Sequence, residues 1–318
     1  MHLARLLPLF LGVSIVAAAA SKHASTPHFS FHKLYELEKN FFDNFLYPNS
    51  TRQAKTINST LLADDIQGRI DITRTFDGAE LNTEYLFGLF ANLASNPNSL
   101  SLLGIPVSYE LLHFAANEYI TSSATRFMFN FTSLGIVLPV EIDGWHTWNE
   151  KGQLTQYDAS FKYWQWMVDT VIAAAAPLLN TTTPAATVAA LTSGLAASVC
   201  ATSTQYCTGT NLQYANNTAC LQYLTQDIRF GEAYELGRNT LLCRMVHQNM
   251  VPYRPDVHCP HIGPTGGGMC TDDMTYISTV NNTYFKIPFV PYGYLVREFC
   301  YGVWLGGNCF GVWLRGNP

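Results

Sequence analysis

The chain has 318 residues, of which 48% are hydrophobic and only 13% charged, and its formal net charge is −5. That length fills one large core or two small ones, and a net negative chain without a basic patch argues against a nucleic-acid partner. Charge this sparse, against roughly 25% in ordinary globular domains, calls for another source of solubility.

Residues 1–20 read MHLARLLPLFLGVSIVAAAA. Arg5 forms a positive n-region, residues 6–16 an apolar core, and Ala18, Ala19 and Ala20 a small-residue cleavage site before Ser21. This is the pattern of a secretory signal peptide, so the mature protein is expected outside the cell. No later apolar run reaches about 18 residues without polar breaks, so no transmembrane segment is expected. In a secreted chain the sequons at Asn49, Asn58, Asn130, Asn180, Asn216 and Asn281 become glycan sites, and glycan supplies the missing solubility.

From residue 29 to 58, Leu34, Leu37, Phe41, Phe42, Phe45 and Leu46 recur at helical spacing, with a break near Pro48. Residues 61–166 then carry aromatic and β-branched runs of strand length with Asp71, Asp143 and Asp158 inside them. Residues 83–93, TEYLFGLFANL, predict a short amphipathic helix with Leu86, Phe90 and Leu93 inward. Strands are predicted over 107–115, 119–131 and 136–148. Asn149, Glu150, Lys151 and Gly152 form a turn that joins EIDGWHTW to QLTQYDASF as a hairpin, with Gly152 suited to positive φ. A helix follows over 161–179, its buried face marked by Tyr163, Trp166, Met167, Thr170, Val171 and Ala174 and its end by Pro177. NTTTPAAT then marks a boundary, and residues 185–198 form a second amphipathic segment.

All eight cysteines lie beyond that boundary: Cys200, Cys207, Cys220, Cys243, Cys259, Cys270, Cys300 and Cys309. Behind a signal peptide an even count predicts disulfides, with a pairing that spacing leaves open. The first six staple residues 185–290, whose main helix is expected over 230–251. Zinc is the competing reading, with Cys259, His258, His261, Cys270 and His247 as donors. The lack of a C-x-x-C pair and the oxidising compartment favour bridges, so no metal and no cofactor is assigned. The glycines at 263–268 lack the Gly-Lys-Ser/Thr ending of a phosphate loop. Residues 300–308 are nearly duplicated at 309–317, and 291–318 is expected to be a poorly ordered tail.

Helix, turn, helix and then antiparallel strands closing on the EIDGWHTW-NEKG-QLTQYDASF hairpin resembles the NTF2-like superfamily, in its SnoaL-like branch, over about residues 30–170. FDGAELNTEYLFGLFANL and VHCPHIGPTGGGMC also resemble segments of a group of secreted, cysteine-rich proteins of filamentous fungi. The resemblance implies an α+β cone at 29–180, a curved antiparallel sheet over helices with an internal pocket, followed by a mostly helical disulfide-stapled region at 185–290. It also implies an Asp or His in an apolar cavity as general acid/base for cyclisation, dehydration or isomerisation.

Alternation along the strand at 136–148 puts Glu141, Asp143, Trp145 and Thr147 on one face and Val140, Ile142, His146 and Trp148 on the other. Asp143 beside Trp145 is the first catalytic candidate, followed by Asp71, His113 and Asp158, with Trp145, Tyr85 and Phe127 as pocket residues. The alternative puts Asp143 on a solvated face or against Arg126 or Arg74. No G-x-S-x-G, H-E-x-x-H or dinucleotide fingerprint is present. Two functions follow: a secreted glycoprotein whose cone binds a small apolar molecule or a partner, or a cofactor-free cyclase, dehydratase or isomerase acting on a polyketide-like molecule. A cavity of roughly 300 Å³ or more facing Asp143 would favour the enzyme.

Overall fold

A computed structural model describes residues 27–56, 60–96 and 99–291, together with the backbone of 301–305 and 308–312. The expected signal peptide, Asn58 and Cys300 lie outside the described residues. Helix α1 (Phe31–Phe45) starts where the Ser30 hydroxyl accepts from the Lys33 amide, and it buries Leu34, Leu37, Glu38, Phe41, Phe42 and Phe45 on one side. Helix α2 (Asn49–Ala54) follows the break at Pro48. Strands β1 (Leu62–Ile70) and β2 (Thr75–Asp77) lead into α3 (Ala79–Thr83), a π-turn at Glu84–Gly88 and α4 (Leu89–Ser95), so the helix predicted over 83–93 is one part of a longer helical run.

Strands β3 (Ile105–Asn117), β4 (Ile120–Phe131), β5 (Ile136–Trp148) and β6 (Leu154–Phe161) complete a six-stranded sheet of order β2-β1-β6-β5-β4-β3. Only the β1–β6 pair is parallel. Register shifts in β3 between Pro106 and Ser108 and between Leu111 and His113 mark bulges, which bend a strand and increase its twist. The β5–β6 hairpin turns as predicted: Gly152 has φ +73°, and the Asn149 carboxamide oxygen accepts from the Lys151 and Gln153 amides at 3.0 Å. The inner face of the sheet packs on α1 and α4 through edge-to-face rings, Phe127 on Phe42 at 5.3 Å and Phe129 on Phe90 at 6.0 Å. The fold is the α+β cone with a helical, bridged C-terminal region.

That region contains α5 (Trp164–Leu178), α6 (Pro184–Tyr206), α7 (Asn217–Gln222), α8 (Leu241–His247), α9 (Pro255–Ile262) and α10 (Tyr276–Val280). Its longest helix is α6, with Leu191, Leu195, Val199 and Cys200 fully buried. Among the described residues it is the one helix long and apolar enough to cross a membrane; here it packs against α5, α7, α8 and α9. The helix expected over 230–251 is reduced to α8. Gly231 sits at φ +106°, and a side chain on Gly237 would stand 2.5 Å from the Thr73 carbonyl oxygen, so residues 228–240 form a loop docked on the cone. In α5 the predicted face is displaced: Met167, Val168, Val171 and Ala175 are buried, while Tyr163 and Trp166 stack on each other in solvent.

Cys200–Cys220, Cys207–Cys259 and Cys243–Cys270 are bridged. One apolar core runs from Leu34 through the sheet to Ile262, so cone and helices are packed as a unit. Residues 284–287 lie along the outer sheet face, where Gln67 and Gln156 exchange hydrogen bonds with the backbone of Tyr284, Lys286 and Ile287. Within the tail, strands β7 (Tyr301–Leu305) and β8 (Asn308–Val312) pair the two nonapeptide copies as an antiparallel hairpin.

Candidate functional site: an apolar cavity with a buried imidazole

Inside the cone lies a cavity of about 120 Å³. Its walls are rings and aliphatic chains: Phe41, Phe42 and Phe45 from α1, Tyr85, Leu86 and Phe90 from the helical run after β2, and Phe127, Phe129, Val140 and Tyr157 from the sheet. His146 is the one imidazole in this lining. A side chain on its strand neighbour Gly144, also in the lining, would stand 2.6 Å from the ring's Cε1. The glycine is what leaves room for the imidazole at this point of the strand.

Behind the ring is Glu38, the single charged residue on the buried side of α1. Its oxygens accept from the Thr121 hydroxyl at 2.6 Å and the Ser123 hydroxyl at 2.7 Å, and Oε1 stands 3.0 Å from His146 Nδ1. The last contact is within ion-pair distance but off the hydrogen-bond line. Burial alone would push the Glu38 carboxyl up; the adjacent His146 ring, acting through its charge, and the hydrogen bonds from the two hydroxyls outweigh it and hold the group below its ordinary value. Glu38 is thus a carboxylate, which accepts only, and it favours the hydrogen on His146 Nδ1 and the lone pair on Nε2. In its neutral form an imidazole held this way could accept a proton from a bound hydroxyl or carbon acid, with Glu38 balancing the resulting charge.

The residues singled out from the sequence divide. Tyr85 and Phe127 line the cavity. Trp145 does not: it is 47% exposed on the outer sheet face, with its ring near Phe289. Asp143 shares that outer face, 3.1 Å from Lys162 Nζ, which also holds Glu141 at 2.7 Å. Asp143 thus faces away from the cavity, contrary to the expectation from the sequence, and its partner is neither Arg126, paired with Glu110, nor Arg74, paired with Asp273. Asp158 is forked onto Arg69, away from the cavity. Burial pushes Asp71 up to about 6 against the pull of the Phe161 and Ile72 amides, but the side chain is open to water, which screens that shift, and it is outside the lining. His113 is exposed on β3. Glu38 escaped the sequence reading although its position, four residues after Leu34 and three before Phe41, puts it on the apolar stripe.

Among the sequons, Asn180, Asn216 and Asn281 are exposed, whereas Asn49 and Asn130 are partly buried. The Asn49 amide donates to the Asp43 carbonyl at 2.8 Å. Cys259 and Cys270 are committed to bridges, which removes both sulfurs from the zinc reading. Three disulfides fit an oxidising compartment.

Residues 39–159 match the model of the BfoA N-terminal domain, and residues 163–273 match that of the BfoA family C-terminal domain. The chain is 52% identical over 264 residues to bifonsecin B biosynthesis cluster protein A of Aspergillus brasiliensis, covering 83% of this chain and 87% of the relative. The chain belongs to the BfoA family. A further relative is aurasperone B biosynthesis cluster protein A of Aspergillus niger, 52% identical over 265 residues, 83% of this chain and 85% of that one. The BfoA N-terminal domain model ends within β6 and the C-terminal one begins just before α5. Among solved structures, a de novo designed protein of the NTF2 fold matches 45% of this chain and 96% of its own, with a TM-score of 0.29 and 14% identity. A SnoaL-like family protein from Agrobacterium tumefaciens matches 41% of this chain and 98% of its own, with a TM-score of 0.30 and 8% identity.

Proposed function

We propose that the protein serves the secondary metabolism of a filamentous fungus as an extracellular glycoprotein whose cone binds one aromatic ring of a small apolar molecule. The observation that carries this reading is the cavity of about 120 Å³, walled by rings and aliphatic chains with His146 as its imidazole. An apolar void of roughly 150 Å³ takes a benzene-sized guest, and drug-sized ligands need roughly 300 Å³ or more. The cone therefore suits a single ring, free or at the end of a larger molecule, and a phenolic hydroxyl would find His146. The relatives named for bifonsecin B and aurasperone B biosynthesis clusters support the metabolic setting. The leader pattern and the three bridges support export.

Binding of phenol and of benzene to the purified protein, followed by ligand-observed NMR and by thermal unfolding, tests the reading. Both should saturate, phenol more tightly, and Val140→Phe, which fills the cavity, should abolish both. No saturable binding by the folded protein would end the proposal.

The buried carboxylate behind the imidazole favours a second reading, cofactor-free acid–base catalysis. His146 Nε2 would take the proton from the bound molecule and return it at another atom, while Glu38 acts as a positioning residue. Candidate substrates for this test are the producing strain's own phenolic metabolites. His146→Gln should abolish turnover and leave ring binding within a few-fold; equal turnover by parent and variant would refute catalysis.

A further inference from the structure

Behind the cone, at the seam with the helical region, three histidines converge. His247 closes α8, while His258 and His261 sit one turn apart on α9, and all three are buried. Their Nδ1 atoms are in contact: His261 to His247 at 3.1 Å and His261 to His258 at 3.2 Å. The two helices are fixed covalently, with Cys243 on α8 bridged to Cys270 and Cys259, next to His258, bridged to Cys207.

Hydrogen bonding alone cannot satisfy this arrangement. A ring nitrogen carries either one hydrogen or one in-plane lone pair. His261 Nδ1 faces two nitrogens, so whichever it carries, one contact has no proton or acceptor of its own. His258 narrows the choice, because its Nε2 lies 2.8 Å from Glu84 Oε2. A carboxylate only accepts, so Nε2 bears the hydrogen, and a ring carrying that one hydrogen presents the Nδ1 lone pair to the cluster. A cation at the centre accepts all three lone pairs at once. Nitrogens bound at about 2.0–2.1 Å to one tetrahedral zinc lie about 3.3 Å apart, close to the two separations here.

We propose that Nδ1 of His247, His258 and His261 together bind one zinc-class divalent ion, with the Tyr85 hydroxyl at the fourth position. Three imidazoles and an oxygen, without thiolate, suit that class of ion. The Tyr85 oxygen is 2.9 Å from both His247 ring nitrogens. Outside the ligand set, Glu84 receives His258 and is itself forked onto Arg254 with two contacts of 2.5 Å. A carboxylate that orients a histidine in this way is the usual outer support of a metal ligand. Arg254 also holds Glu80 at 2.8 Å, so the support runs through α3, the π-turn and the loop before α9.

The test uses the full, disulfide-intact chain. Metal content of the protein as purified should approach one equivalent. After removal by chelator, one equivalent of Co²⁺ should restore binding and give the strong visible band of a tetrahedral site. His261→Gln should weaken Zn²⁺ binding more than tenfold, while His113→Gln, an exposed histidine on β3, should leave it unchanged. The proposal is overturned by folded parent protein that contains no metal and gives no Co²⁺ band, a measurement that needs no variant. It is equally overturned by folded His261→Gln that binds Zn²⁺ as tightly as the parent.

Discussion

Glu38 is enclosed by two hydroxyls and an imidazole, and none of these partners can move to water if it is removed. Glu38→Ala should cost about 2–4 kcal/mol, since unpaired buried donors cost about 1–3 kcal/mol each and partly relax. The sign of the pH effect follows from the lowered carboxyl. Its stabilisation is fully present above the ordinary value of 4.5 and is lost as pH falls through the lower value in the folded protein. Chemical denaturation between pH 6 and 3 should therefore show a flatter acid limb in Glu38→Gln than in the parent. An equal slope would show that Glu38 is not held as a carboxylate. Strand alternation at 140–148 put His146 and Asp143 on opposite faces, and that much was legible. Which face was inner was not, because Asp143 next to Trp145 and His146 next to Trp148 look alike until α1 covers one of them.

At the scale of elements, turns spoke more clearly than helix ends. Gly152 was readable from NEKG, and the structure adds a second constraint, since a side chain there would stand 2.9 Å from Leu37 Cδ2. Gly152→Ala should thus lose more than the roughly 1–2 kcal/mol of a left-handed residue alone, measured by equilibrium denaturation, with the cone loosened at α1 as well. Residues 230–251 misled because apolar and helix-favouring residues surround Gly231 and Gly237, and only tertiary docking against Thr73 makes those glycines decisive. In α5 the period was correct and the phase was not. Tyr163 takes φ +55° and the helix begins at Trp164, which turns Trp166 outward.

For the whole molecule, cysteine count and placement foretold a bridged C-terminal region, while connectivity waited on three dimensions. Chain-entropy arguments rank the bridges by the loop they close: 52 residues for Cys207–Cys259 against 20 for Cys200–Cys220. That corresponds to about 4 and about 3 kcal/mol respectively. Paired alanine replacement of each bridge, followed by denaturation, should reproduce that order. Because one core spans both parts, loss of either bridge should lower the unfolding midpoint of the cysteine-free cone too, seen as a single shifted transition rather than two.

Tyr85 turns its ring to the cavity and its hydroxyl to His247. If a guest shifts one end of that phenol it alters the contact at the other, and occupancy of the cone and the state of the imidazoles then become thermodynamically reciprocal. Whatever factor acidification imposes on guest affinity, the guest must return as an equal factor on proton affinity. A single aromatic side chain thereby spans the cone and its bridged support across the seam.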